Sequence, residues 1–280
     1  MKHSTLKSGF GNNFKDYLQR SFDKTRLDQA QESLSDFLKM ESFEGKTFLD
    51  IGCGAGIFSL SALNLNASFV HSFDLDEESI ECSEQLRKQY DIKEERWKIE
   101  RGNILDRAYV ESLGSFDLVY CWGTVHHTGQ MWQAIENSLK LVKKGGLIYF
   151  GIYNDADHFG LFPDGRFGSS RFWAHIKRFF FHCPKIVQKT VEYAAISAIV
   201  LIYTLSFQNP FKKIKEHGKR GMTWRVDLKD WLIGYPYEYA SPDRVINYML
   251  SKGFTLKNIR TNTGLLTNHY LFCKAPSIIK

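Results

Sequence analysis

The stretch Phe48-Leu49-Asp50-Ile51-Gly52-Cys53-Gly54-Ala55-Gly56 is an apolar run that enters three glycines, each separated from the next by one residue. It reads as a buried strand leading into a turn whose backbone another molecule approaches closely. Outward from it, short apolar runs alternate with amphipathic stretches of helical length, the order of βαβ units and a parallel sheet. The pattern predicts strands over 46–51, 68–73, 97–100, 116–120 and 147–153, and helices over 57–65, 76–90 and 130–142. Asp76 suits a helix N-cap with Glu77 and Glu78 in the first turn, and Gly145-Gly146 suits the stop of the third helix.

Ser241-Pro242 opens a last helix that stops at Gly253, and strands over 254–260 and 269–274 follow with no helix between them. The fold class expected is therefore α/β. It is a Rossmann-like, seven-stranded, mostly parallel sheet closed by an antiparallel C-terminal hairpin, with helices on both faces and a helical insertion. Four segments are expected: an N-terminal helical lid over 1–45, a cofactor-binding core over 46–155, a basic substrate-recognition insertion over 156–238, and the closing helix and hairpin over 239–280.

A chain of 280 residues with 43% hydrophobic content can bury one substantial core. Its cysteines, Cys53, Cys82, Cys121, Cys183 and Cys273, are odd in number and never spaced C-x-x-C, which argues for reduced thiols and against a zinc ribbon. No metal site is expected. The first residues show no apolar signal segment, and a cytoplasmic location is expected.

The glycines are spaced G-x-G-x-G, with Ile57 where a dinucleotide fingerprint has its last glycine. Asp50 stands just before them. A carboxylate there repels a pyrophosphate and suits a cationic ligand bearing an amino group, such as S-adenosylmethionine. Asp74, at the end of the second strand, can accept both hydroxyls of a ribose, as adenosine and NAD alike would offer.

Together "FLDIGCGAGIFSLSAL", "VHSFDLDEES", "RGNILD", "FDLVYCWGTVHHTG" and "LVKKGGLIYFGIYN" resemble a class I S-adenosylmethionine-dependent methyltransferase over about residues 46–154, with the closing helix and hairpin in the right order. The tail from Arg220 resembles a bacterial subgroup of quinone-type or glycan-cluster methyltransferases. The resemblance implies that Gly52, Gly54 and Gly56, with Cys53 among them, let the backbone approach the cofactor. It also implies that Asp50 lies near the methionine amino group and that Asp74, with Leu75 beside it, holds the ribose. The resemblance further implies that Asn103 and Ile104 flank adenine, at a position where the family often has Asp, and that Cys121 and Trp122 line the cofactor near the reacting methyl.

Methyl transfer to an alcohol or phenol benefits from a base, and histidine titrates in the useful range. His126 and His127 follow the fourth strand at the carboxyl edge of the sheet, and either is a candidate base or orienter; each also suits a purely structural capping role. By the same resemblance Tyr17 is a candidate catalytic lid residue, against the alternative of a packed N-terminal helix. Trp231, Tyr235, Tyr237, Glu238 and Tyr239 either pack the insertion onto the sheet or wall an acceptor pocket.

The positive charge is local. Residues 171–229 hold twelve lysines and arginines against Glu192, Glu216 and Asp227, in a chain of net charge +6. Within this segment 193–211 is uncharged and flanked by Lys185, Lys189, Lys212, Lys213 and Lys215. It suits a packed lid or homodimer helix, a membrane-surface helix that brings 185–220 to a lipid-linked substrate, or, least well, a true span. Phosphate contacts are a further use of such charge, but no RNA-binding motif accompanies it, and a nucleic-acid partner is not expected. The function expected is methyl transfer to a small-molecule acceptor, at an oxygen of a sugar, phenol or secondary metabolite. The alternatives are an RNA or protein methyltransferase docking through the insertion, or a non-catalytic S-adenosylmethionine-binding scaffold.

Overall fold

The computed structural model describes residues 10–157, 169–216 and 221–276, with the backbone alone for 10–13, 215 and 216. Helices α1 (Phe10–Arg20) and α2 (Lys24–Leu38) lead into β1 (Thr47–Ile51), α3 (Ile57–Asn64), β2 (Phe69–Asp74), α4 (Glu77–Gln89) and β3 (Trp97–Arg101). Next come α5 (Arg107–Ser112), β4 (Phe116–Trp122), a 3-10 turn over Val125–His127, α6 (Met131–Lys140) and β5 (Val142–Tyr153). Four helices then intervene: α7 (Ser169–Phe181), α8 (Lys185–Leu205), α9 (Pro210–Glu216) and α10 (Trp224–Ile233). The chain closes with α11 (Pro242–Ser251), β6 (Phe254–Arg260) and β7 (Thr267–Lys274).

The strands form one seven-stranded sheet in the order β3-β2-β1-β4-β5-β7-β6. β7 runs antiparallel to both β5 and β6, and the other pairings are parallel. The order reverses between β1 and β4, so the carboxyl ends of those two strands border the crevice where open α/β sheets bind ligands. The expected hairpin and strand count are both present.

One boundary differs from the sequence expectation. The third helix ends at Lys140, and β5 begins at Val142 and carries both Gly145 and Gly146. Gly145 takes φ +75°, and a Cβ at Gly146 would lie 2.9 Å from the Asp117 carbonyl oxygen. The β4–β5 register shifts at Phe116 and Leu118. The glycine pair thus accommodates an irregular strand entry, a use of glycine that local sequence does not separate from a helix stop.

Period-two alternation sends the strands' side chains to two cores. Phe48, Leu118, Tyr120 and Tyr149 join Leu34 and Phe37 of α2 and Leu60 of α3 on one face. Leu49, Ile51, Val119, Cys121, Ile148, Phe150 and Ile152 join Ile135 of α6 and Val245 and Met249 of α11 on the other. Each large apolar side chain buried this way contributes about 1.5–3 kcal/mol. The N-terminal segment shares in this core: α2 packs on α3, and α1 lies across α4 and α10. The insertion has a small cluster of its own, in which Leu228, Leu232 and Ile233 pack with Trp173, Ala195, Ile196, Ile199, Trp224 and Trp231.

Candidate active site

The turn after β1 is pinned to the end of β2, because Gly52 N and Cys53 N both donate to the Phe73 carbonyl, at 2.8 and 3.2 Å. Gly52 has φ +72°, and a Cβ there would sit 2.3 Å from Thr124 Oγ1, which itself donates to the Ile51 carbonyl. Gly54 has φ +54°, and a Cβ would meet the Phe14 ring at 2.8 Å. Both positions therefore require glycine for conformation and for space. Phe14 brings α1 over the turn.

Asp50 beside this turn is buried and Asp74 is half-buried. Asp50 is 2% exposed and accepts from Ser59 Oγ at 2.5 Å; Ser59 in turn meets Ser72 Oγ, which accepts from Trp97 Nε1. Burial pushes the Asp50 carboxyl up to about 7; the Ser59 hydrogen bond opposes this, and the charge of Asp74 adds to it. Asp74 accepts from Gly54 N at 3.0 Å and Asp76 N at 2.9 Å, and burial lifts it to about 6 against those bonds. None of the groups that shift either carboxyl is a lysine or arginine. A turn that presents two undercompensated carboxylates and bare peptide fits a positively charged nucleoside, with Asp50 and Asp74 as its counter-charges.

The remaining cofactor residues expected from the sequence lie around this turn with different exposures. Cys53 is 8% exposed, its Sγ is 3.5 Å from Ser83 Oγ, and burial raises its thiol. Gly56 caps the start of α3 at φ +77°. Leu75 is exposed on the lip. Asn103 Oδ1 accepts from Leu105 N and shapes the bend that holds Ile104, which is buried. Cys121 and Trp122 are consecutive on β4 and face opposite ways. Cys121 is fully enclosed in the core with α6, while Trp122 covers Gly151 and points its Nε1 at His269 Nδ1, 3.4 Å away.

Tyr17 is buried, and its hydroxyl donates to the Gly221 carbonyl at 2.5 Å. That bond ties α1 to the segment that precedes α10. The aromatic neighbour of the two histidines is instead Tyr153, at the end of β5.

His126 is 1% exposed, its ring lies 4.3 Å from that of Tyr153, and its Nδ1 has no hydrogen-bond partner. Burial, reinforced by the neighbouring His127, holds it well below the ordinary histidine range, so the ring is neutral. His127 Nδ1 is 2.6 Å from the Pro236 carbonyl, which can only accept, so this nitrogen carries a proton. Its Nε2 faces Asp230 Oδ1 at 3.2 Å. Burial alone would raise the Asp230 carboxyl, but His127, then Lys177 and His126, outweigh it and hold it below the usual range.

Lys177 of α7 completes the group. It is fully buried, donates to the Asp230 carbonyl at 3.1 Å, and lies over the rings of Tyr153 and Tyr237 at 4.7 and 4.5 Å. Burial pulls its ammonium down to about 8, opposed by Asp230. Tyr153 Oη donates to Asp230 Oδ2 at 3.3 Å. A cavity of about 560 Å³ is lined by Trp231 with Ala156, Ser169 and the Thr263–Leu266 loop, and by none of the side chains of this group. Glu238 turns away and caps α6, accepting from Met131 N at 3.0 Å.

Tyr153, Lys177 and Asp230 were not singled out from the sequence, where they are 24 and 53 residues apart, with Lys177 one of many basic residues in its segment. The only available signal was a lysine inside the aromatic helix "RFWAHIKRFFF". Among the described residues no cluster of histidine, cysteine and acids suits a metal ion.

The sheet order and the acidic glycine turn form a Rossmann-like core with a crevice suited to a cationic nucleoside. Residues 49–148 match the methyltransferase domain family. Over 113 residues the chain is 34% identical to a ubiquinone biosynthesis O-methyltransferase of Neisseria meningitidis, a match that covers 39% of this chain and 45% of that protein. Over 136 residues it is 34% identical to a tRNA N(3)-methylcytidine methyltransferase of Schizosaccharomyces pombe, covering 46% and 43%. The chain thus spans less than half the length of either relative. The structure of magnesium protoporphyrin IX methyltransferase from Synechocystis PCC 6803 with bound SAH superposes with a TM-score of 0.53 at 12% identity, covering 96% of this chain and 98% of that one. The chain is thus similar to S-adenosylmethionine-dependent methyltransferases, in sequence over its central part and in fold over most of its length.

Proposed function

We propose that the protein transfers a methyl group to an oxygen of a small-molecule acceptor, a sugar, phenol or secondary metabolite, bound beside His126. The observation that carries this reading is the buried, neutral ring of His126, whose Nδ1 is unpartnered at the carboxyl edge of β4. S-adenosylmethionine, when bound, supplies a methyl carbon on a positively charged sulfur. Asp50 and Asp74 supply the opposing charge, Asp74 holds the ribose hydroxyls, and Asn103 and Ile104 bound the adenine. Gly52 and Gly54 leave the peptide bare for close approach, and α1 excludes water through Phe14.

At the acceptor, Nδ1 of His126 accepts the hydroxyl proton as the oxygen becomes a nucleophile. Asp230 favours the protonated ring, while Lys177 and His127 oppose it, so the ring returns readily to its neutral form. Trp231 and the Thr263–Leu266 loop give the acceptor an apolar wall. The ubiquinone biosynthesis O-methyltransferase relative supports an oxygen acceptor.

The test is a panel of phenolic, quinol and sugar acceptors assayed by mass gain of one methyl, followed by His126→Ala. Turnover is expected to fall about 10²-fold or more while calorimetric cofactor affinity holds. Wild-type turnover in the variant would remove His126 from the chemistry. A second reading, an RNA acceptor, is favoured by the tRNA methyltransferase relative and the basic insertion. Methylation of tRNA with no small acceptor modified would establish it in place of the first.

A further inference from the structure

We propose that α8 and the turn into α9 dock onto the surface of an anionic lipid bilayer. α8 spans 21 residues, which at the helical rise is about 31 Å. Its inner stripe is spoken for. Glu192 is 4% exposed and pairs with Arg225 of α10 at 2.7 Å, and Ala195, Ile196 and Ile199 pack against the tryptophan cluster. These four positions follow helical spacing, so they mark one face.

The opposite face is apolar and open. Leu201, Ile202 and Leu205 are 58, 59 and 69% exposed, and Phe207 and Phe211 just beyond are exposed as well. Phe207 sits at φ +56°, a conformation that a bulky aromatic residue rarely adopts, and there its ring is wholly in solvent. In water this arrangement has no apolar contact to sustain it.

Charge selects the partner. Lys185 and Lys189 lie at the N-terminal end of α8, in line with Glu192, and Lys212 and Lys213 lie beyond its C-terminal end, all exposed. The single acidic residue from 185 to 214 is Glu192, which is buried and paired. An apolar face bracketed at both ends of the helix by exposed lysines matches the interior and the anionic headgroups of a bilayer at once. α8 is long and apolar enough to cross a membrane, but crossing would strip Glu192 and its stripe from α10. It therefore lies on the surface, with its C-terminal half and Phe207 dipping in. This surface is separate from the acceptor site, so its test does not depend on which acceptor is methylated.

The test is co-sedimentation of the full chain with phosphatidylcholine vesicles with and without phosphatidylglycerol. Salt-sensitive partitioning onto the anionic vesicles is expected, reduced roughly tenfold or more by Lys212→Glu with Lys213→Glu. Ile202→Glu with Leu205→Glu is expected to abolish it while cofactor affinity is retained. Phe207→Asn guards against misfolding, since asparagine tolerates the left-handed backbone: partitioning falls while thermal stability holds or rises. The proposal is overturned if the wild-type chain stays in the supernatant with anionic vesicles at low salt. It is equally overturned if the chain is a stable dimer that Ile202→Glu with Leu205→Glu dissociates, since a second copy would then cover the face.

Discussion

The glycine turn after β1 and the histidine group after β4 follow adjacent strands of one sheet, yet they solve opposite electrostatic problems. Around Gly52–Gly56, Asp50 is buried and Asp74 half-buried, no lysine or arginine is among the groups that shift them, and both carboxyls are raised. Around His127, Asp230 faces an imidazole and a buried ammonium, and its carboxyl is lowered. A charge left uncompensated by the protein marks where a ligand brings the missing charge. A charge compensated inside the protein marks a group that must hold its shape whether or not a ligand is present.

Removing the internal compensation is expected to have the largest effect. Asp230→Ala leaves Lys177 buried without its counter-charge, which costs about 3–5 kcal/mol in such settings. Thermal unfolding is expected to drop by several degrees or more and methyl transfer to disappear, while any protein that stays folded keeps its cofactor affinity. Unchanged stability would mean that Lys177 is neutral or solvated. Restoring stability by adding Lys177→Met to Asp230→Ala would confirm the coupling of the pair.

At the other region the same operation runs in reverse. Asp74→Ala is expected to weaken cofactor binding roughly 10–100-fold by calorimetry, the loss of about two charge-assisted hydrogen bonds. It should leave the cofactor-free protein as stable as before, because burial already disfavours the ionised carboxylate. Intact affinity would refute the ribose assignment.

The contrast also explains what could be read in advance. The strand order, the hairpin and the turn were legible because each is dictated by neighbours in sequence: alternation in "FLDI", glycines that no other residue can replace, and Asp76 capping α4 through Glu78 N. Tyr153, Lys177 and Asp230 gave no such signal, because their meeting depends on how the insertion folds back over β5. The misplaced end of α6 has the same origin. Gly145-Gly146 looks like a helix stop locally, and only the pairing of Val142 and Leu147 with β4 on either side of it shows it to be a strand entry.

A pH titration sharpens the comparison at intermediate magnitude. Asp50 and Asp74, raised to about 7 and 6, are largely protonated at pH 5 and ionised above pH 7.5 in the cofactor-free protein. A cationic ligand binds the ionised form, so cofactor affinity is expected to rise through this window, by at most about tenfold per pH unit for each group. Stability runs the other way. A carboxyl whose folded-state pKa is raised contributes fully below about pH 4, and its contribution is lost as pH climbs through 6 to 7. Asp50→Asn is therefore expected to flatten the fall in cofactor-free melting temperature across that range, and an unchanged slope would show that Asp50 is not its source.

The smallest effect concerns Tyr17, where the two regions are joined. Its hydroxyl donates to Gly221, so Tyr17→Phe removes one buried hydrogen bond and leaves the carbonyl without that donor. Such a loss is worth about 1–2 kcal/mol, and it is expected as a shift of a few degrees in unfolding with turnover changed less than about threefold. A tyrosine acting on the substrate would give the opposite split, with stability held and kcat reduced about a hundredfold. Measuring both on one preparation decides whether α1 serves the reaction through a phenol at the acceptor or through the tether that keeps Phe14 over the glycine turn.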